Sequence, residues 1–276
     1  MVFSPARGKL IVPFLLAALS APPSPMPALD WAGSEDRADG ERLAFKVDWH
    51  PPWYLFFLPA MEAGEVEIRV SERTTFEGRP ARLVTFDAKS SGTLAKLTGV
   101  KIDDRFEYYS DPETLCTLGA RKRMAEGKRK REIEVRHYPD ERRLHIREID
   151  TGADPPKLKK DRTLDNLPEC VQDVFSALTT IRKKELFEKA VYKAVVGDND
   201  TVKEVEVRVG KREQVVTPAG RFDTWRVTTV AVMGGLFKAG GEFRLWLAVD
   251  GPKLPVRFEA KVNLGTVTGT LKSMTR

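Results

Sequence analysis

Three histidines, His50, His137 and His145, are the chain's whole supply of imidazole, the side chain best suited to bind a metal or to exchange protons near neutral pH. His137 and His145 flank the turn PDER at 139–142, which suggests a metal pair across a hairpin. Hairpin register sets residue 137 opposite about residue 144, so the two rings fall on opposite faces of the sheet. None of the three has a recognisable zinc-ligand spacing, and the expectation is that no metal is bound. Asp103 and Asp104 are adjacent carboxylates, but successive strand residues point to opposite faces, which argues against paired acid and base work. The sequence lacks G-x-S-x-G, H-E-x-x-H, a P-loop and a dinucleotide fingerprint. These residues predict a protein that is not an enzyme and uses no cofactor.

Cys116, in DPETLCTL, and Cys170, in NLPECVQDV, are the two cysteines. An even count in a chain sent to an oxidising compartment predicts one disulfide. It would close a loop of about 55 residues, for which the chain-entropy model gives roughly 4 kcal/mol. Spacing alone leaves open whether the side chains meet or remain two buried thiols.

Two surfaces are candidates for binding. The run from Trp49 to Met61 holds Trp49, Trp53, Tyr54, Phe56, Phe57 and Met61 in a loop or hairpin tip. Exposed, it would contact a membrane, a hydrophobic ligand or a partner; folded inward, it would be core. RKRMAEGKRKR carries Arg121, Lys122, Arg123, Lys128 and Lys130 around a hairpin turn. It could dock anionic lipid headgroups or protect a sheet edge, and Glu126, Glu132 and Glu134 weaken any single-sign field.

The chain's beginning bounds where these residues work. MVFSPARGK contains Arg7 and Lys9 and no acid, and an uncharged apolar run follows from Leu10 to Ala21. This is the layout of a signal peptide at 1–21, and its apolar run is short of the roughly 18 residues that span a bilayer. A Pro-rich, disordered linker is expected at 22–40. No cysteine stands at the junction, so the expected product is periplasmic or secreted, soluble, and not a lipoprotein. Removing Arg7 and Lys9 lowers the net charge from +6 to +4, too small a surplus for nucleic-acid binding. No later segment is apolar enough to span a membrane as a helix.

From Glu41 onward, period-two alternation dominates, as in Leu43, Phe45, Val47 and Trp49, and predicts strands with one buried face. Turn sequences such as EGRP at 77–80, AEGK at 125–128 and TPAG at 217–220 mark reversals. One stretch, about 170–187, changes to helical spacing. Pro155 and Pro156 followed by KLKKDR read as a charged connector. The fold expected is mainly β: a single domain over 41–276, built as a single curved antiparallel sheet or open barrel of about a dozen strands with one helical insertion.

Three segments, NLPECVQDVFSALTTIRK, GKREQVVTPAGRFDTWRV and FRLWLAVDGPKLPVRFEAKVNLGTVTGTL, resemble in order and spacing the exported bacterial proteins grouped as domain of unknown function 3108. The resemblance runs from about Glu41 to the C-terminus. Its most specific pieces are TPAGRFDTW, the stretch Trp246 to Asp250, the step Leu254-Pro255-Val256, and Gly265. It implies an exported β-rich domain and transfers no catalytic residue. HPPWYLFFLPAM departs from the pattern as a local elaboration. By analogy of fold alone, curved sheets with a helical lid in periplasmic lipoprotein carriers hold acyl chains in the concave face. The expected function is a non-enzymatic cell-envelope protein that binds a lipid or other hydrophobic or amphipathic ligand, or an envelope partner, in the concavity of the curved β-sheet; the alternative is an envelope hydrolase or glycan-modifying enzyme with an unrecognised acidic site.

Overall fold

A computed structural model describes residues 40–99, 101–230, 241–262 and 265–275. The export signal expected at 1–21 and the linker, apart from Gly40, lie outside the described residues.

Fourteen strands run in chain order as β1 (Arg42–His50), β2 (Met61–Phe76), β3 (Arg79–Ser90), β4 (Asp103–Ser110), β5 (Thr117–Glu126), β6 (Arg129–Tyr138) and β7 (Arg143–Asp150), then β8 (Lys157–Leu164), β9 (Val191–Asp198), β10 (Thr201–Thr217), β11 (Gly220–Val230), β12 (Glu242–Ala248), β13 (Pro255–Lys261) and β14 (Thr266–Thr275). Among the described residues there are two α-helices, α1 (Gly92–Thr98) and α2 (Val174–Lys183). The strands form one antiparallel sheet in the order β8-β7-β6-β5-β4-β3-β2-β1-β14-β13-β12-β11-β10-β9. Apart from β1 with β14, neighbours in the sheet are consecutive in the chain. The segment from residue 165 to 190 carries the chain from one edge, β8, to the other, β9.

The alternation of the sequence becomes the two faces of this sheet. Leu43, Phe45, Val47 and Trp49 are buried on one face of β1. A cross-strand row of Val70, Val84, Tyr108, Ala120, Val135 and Ile146 continues that buried face through β7. α2 lies against it. Asp173 caps α2, accepting from the backbone N–H of Phe175 at 2.8 Å and of Ser176 at 2.9 Å. Phe175 packs on Phe86 and Tyr108, with ring centroids 6.0 and 5.3 Å away. Near the helix end, the guanidinium of Arg182 donates to both carboxylate oxygens of Glu41 at 2.8 Å. The helix therefore spans the inner face from β4 to the start of β1.

The sheet is curled, and it is not closed by hydrogen bonds between its edges. A flat sheet would hold β5 and β9 ten strand spacings apart, about 48 Å, yet Lys122 of β5 is bonded to Asp198 of β9. In the turn after β9, Asp200 pairs with Lys160 at 2.8 Å and with Arg162, both on β8. Leu167, Val171 and Gln172 lace the remaining gap: their backbone groups bond to Arg142, Thr117 and Val195 at 2.8, 2.8 and 2.9 Å. Side chains and one connecting segment draw the edges together.

Cys116 and Cys170 form the expected disulfide, with Cα atoms 5.2 Å apart and a separation of 54 positions in sequence. It ties the β4–β5 connection to the segment leading into α2.

Three details differ from the sequence reading. KLKKDR is no connector: it belongs to β8, an edge strand whose Lys and Arg residues discourage pairing with another chain. The helical insertion is shorter than 170–187: α2 covers Val174–Lys183, and Gln172 ahead of it bridges to Val196 of β9. A second helix, α1, joins β3 to β4 and ends at Gly99, whose φ of 67° is the left-handed conformation that closes helices. Gly265 has the same kind of requirement: its φ is +95°, and a Cβ there would collide with the carbonyl oxygen of His50.

Candidate functional site

β1 stops at His50 because Pro51 and Pro52 cannot continue the ladder. The chain then makes a 3-10 turn over Trp53–Leu55, held by the Leu55 N–H donating to the Pro52 carbonyl at 2.8 Å. A further bond from the Leu58 N–H to the Leu55 carbonyl, at 2.9 Å, tightens the loop before Pro59, and β2 begins at Met61 opposite Trp49. The loop thus projects past the last paired residues. Trp53 is 87% exposed, Phe56 85%, Phe57 67% and Tyr54 52%. The rings meet each other edge to face, Trp53 with Tyr54 at 5.9 Å and Phe56 with Phe57 at 6.1 Å. Leu55 and Leu58 are half-buried.

Trp49 does not share this surface. It is buried on the inner face of β1, in the same phase as Leu43, Phe45 and Val47, and is a core residue. Met61 is half-buried at the start of β2. The aromatic run therefore divides: its first tryptophan anchors the strand, and the four rings after the prolines form the tip.

The basic group is also divided. Arg121 and Arg123 are exposed on the outer face of β5, while Lys128 and Lys130 are exposed at the β5–β6 turn. Lys122 is not a surface residue: strand alternation turns it inward, where it is buried. Its ammonium bonds to Asp198 and donates to Asn199 Oδ1 at 2.8 Å, and it lies 5.0 Å from the centroid of the Tyr108 ring. Burial, with the Asp198 and Asp173 carboxylates close by, holds the Tyr108 hydroxyl well above its ordinary pKa and therefore protonated.

A cleft of about 370 Å³ opens on the outer face of β4–β7. Its lining includes Arg105, Arg121, Arg123 and Arg147, but acids answer them: Arg105 meets Glu107 at 3.1 Å, Arg121 meets Glu134 at 3.7 Å and Arg123 meets Asp103 at 3.8 Å. This is a surface of paired charges rather than an anion site.

The histidines stand where hairpin register places them. His137 is opposite Leu144, and His145 is opposite Arg136, so the two rings occupy different faces. Burial pushes the His137 pKa down to about 4, leaving it neutral. His145 Nε2 lies 2.7 Å from Asp161 Oδ1. Asp103 and Asp104 also diverge. Asp104 is buried, accepts from the Ala125 N–H at 2.8 Å, and has its pKa raised to about 6, chiefly by desolvation.

Lys122 meets Asp198 and Asn199, and Asp200 meets Lys160 and Arg162, contacts that no motif in the sequence announces. Their one sequence signal is the turn GDND at 197–200, with two carboxylates beside a strand edge.

No helix among the described residues is long and apolar enough to cross a membrane. A comparison with curated proteins finds no match. Among solved structures, the chain is similar to a β-barrel-like protein of domain of unknown function DUF1849 from Brucella abortus, with 11% identity and a TM-score of 0.57 over 87% of this chain and 98% of that one. It also aligns with a Bacteroides fragilis protein described as exported and having a YmcC-like fold (11% identity, TM-score 0.33, 86% of this chain and 96% of that one). A Parabacteroides distasonis protein described as a lipoprotein aligns at 12% identity, with a TM-score of 0.27 over 86% and 95% of the two chains. The first likeness is one of fold, and the scores of the other two are too low to carry an argument. The model of the family described as protein of unknown function (DUF3108) matches residues 45–272, nearly the whole of the curled sheet, and the chain belongs to that family.

Proposed function

We propose that this is an exported, non-enzymatic protein of the cell envelope that binds an amphipathic ligand or envelope partner through the aromatic tip between β1 and β2. The observation that carries the reading is the exposure of Trp53, Phe56 and Phe57, at 87, 85 and 67%, on a loop pinned by two backbone hydrogen bonds. Large apolar side chains grouped on a surface mark a contact site, since the same area buried elsewhere would stabilise the fold by about 25 cal/mol per Å². The tip is favoured over the concave face because α2 and its neighbours already fill that face. Ile181, Trp225, Val227 and Leu247 form one packed cluster there, and Tyr108, Ile133 and Leu144 belong to another. Export follows from the N-terminal pattern and agrees with the Cys116–Cys170 bridge.

The test is fluorescence of a hydrophobic probe, with native mass spectrometry of the protein as recovered from cells. The reading expects a bound amphiphile or probe binding, reduced severalfold in W53A/F56A/F57A. A wild-type protein that carries no lipid and binds no probe would overturn it, as would a triple variant that binds like wild type.

A further inference from the structure

We infer that the partner of the aromatic tip is the surface of an anionic phospholipid bilayer, held by the tip together with the basic β5–β6 turn on the same rim of the sheet. This rests on the reading of the tip as a binding element and names its partner.

Register places the two features together. β1 ends and β2 begins at the tip, β3 ends at Ser90 opposite Gly64, β4 begins at Asp103 opposite Lys89, and β5 turns into β6 where Glu126 faces Arg129. All these points lie at one end of the strands. Backbone bonds join them: Ser91 N–H donates to the Ala63 carbonyl at 3.1 Å, Gly127 N–H to the Lys101 carbonyl at 2.7 Å, and Thr151 N–H to the Lys130 carbonyl at 3.0 Å. From β2 to β5 is three strand spacings, about 15 Å, so one flat surface can meet both. α1 stands between them and adds Leu97, 70% exposed.

Charge decides the kind of surface. Lys101, Lys128, Arg129 and Lys130 are exposed and make no ion pair among the described residues; of the rim acids, Glu62 lies 3.7 Å from Lys46 and Asp103 lies 3.8 Å from Arg123, and the half-buried Glu126 offsets one of these cations. Of the acids near these lysines in sequence, Glu134 is held between Arg121 and Arg136 on the outer face. The rim therefore offers aromatic rings and a surplus of cations side by side. A few rings alone, or a few cations alone, bind a bilayer only marginally, and the combination is what gives durable attachment to an anionic one. Tryptophan is also the residue best suited to the headgroup level, where an apolar body meets a polar boundary.

The experiment is co-sedimentation of the protein, recovered from cells expressing the full chain and with its N-terminus fixed by intact mass, with two kinds of vesicle: phosphatidylcholine alone, and phosphatidylcholine with phosphatidylglycerol. Binding should favour the anionic vesicles, weaken with added salt, and fall about fivefold for each of Lys128→Gln and Lys130→Gln. W53A/F56A/F57A should abolish it while circular dichroism remains unchanged. Equal binding to both vesicles, still lost in the aromatic variant, overturns this inference and leaves the aromatic tip intact as a binding element. Binding to neither vesicle, with probe binding retained, points to a protein or free-ligand partner and also overturns it. Binding to soluble heparin that the aromatic variant retains would assign the lysines to polyanions generally, and the membrane inference would fail.

Discussion

The ammonium of Lys122 on β5 is bonded to the carboxylate of Asp198 at the end of β9, 76 residues later in the chain and ten strand positions away along the sheet. Both side chains are almost fully buried. The bond joins the halves of the meander on either side of β1, at the place where the sheet's hydrogen-bonded ladder is open. Asp200, two residues on, adds Lys160 and Arg162 of β8 to the same junction.

Lys122→Met should therefore destabilise the fold by about 3–5 kcal/mol, because it leaves the Asp198 carboxylate buried without its cation. Replacing both, as in K122M/D198L, should cost less than the sum of the single changes, since no charge is then stranded. Urea unfolding of the four proteins measures this coupling; additive losses would show that the pair does not act as a unit.

Stability should also respond to pH through Asp104. Its carboxyl, raised to about 6 by burial, holds its proton more tightly in the folded protein than in the unfolded chain, where it titrates near 3.9. The stabilising contribution of the protonated form is complete below about pH 4 and is lost as the pH rises through about 6. Asp104→Asn should therefore stabilise the protein by about 1 kcal/mol at pH 8 and change it little at pH 4, read as shifts in the urea midpoint. The opposite ordering of the two pH values would contradict the assignment.

The disulfide gives a third expectation. Cys116 and Cys170, 54 positions apart, close a long loop, and the C116S/C170S variant should lose about 4 kcal/mol by the chain-entropy model. The loss should be matched by adding reductant to the wild-type protein. A midpoint unchanged by reductant would mean that other contacts already fix this segment in the unfolded ensemble.

Most of the sheet was legible because burial on one face writes itself into the sequence every second residue, as at Leu43, Phe45, Val47 and Trp49. The same rule located the two histidines on opposite faces. It failed for β8, where an edge strand needs no apolar face and Lys157 to Arg162 carry charge at nearly every position. It missed α1 because seven residues give too few turns to reveal a helical period. The binding surface was visible as a composition, but its division was not: Trp49 is separated from Trp53 by two prolines that end the strand, and Lys122 is separated from Arg121 and Arg123 by the pleat. Register within a strand decides which side a charge faces, and only the partner at Asp198, distant in sequence, makes the inward choice tolerable.

In the function proposed above, the loop after β1, and not the concave face under α2, meets the partner. Hydrogen–deuterium exchange of the protein with and without anionic vesicles tests it directly. Exchange should slow in peptides covering residues 51–60 and 127–130, with α2 and the strands beneath it unchanged. Protection in α2 or β12 with none at 51–60 would contradict it, and would place binding inside the curled sheet.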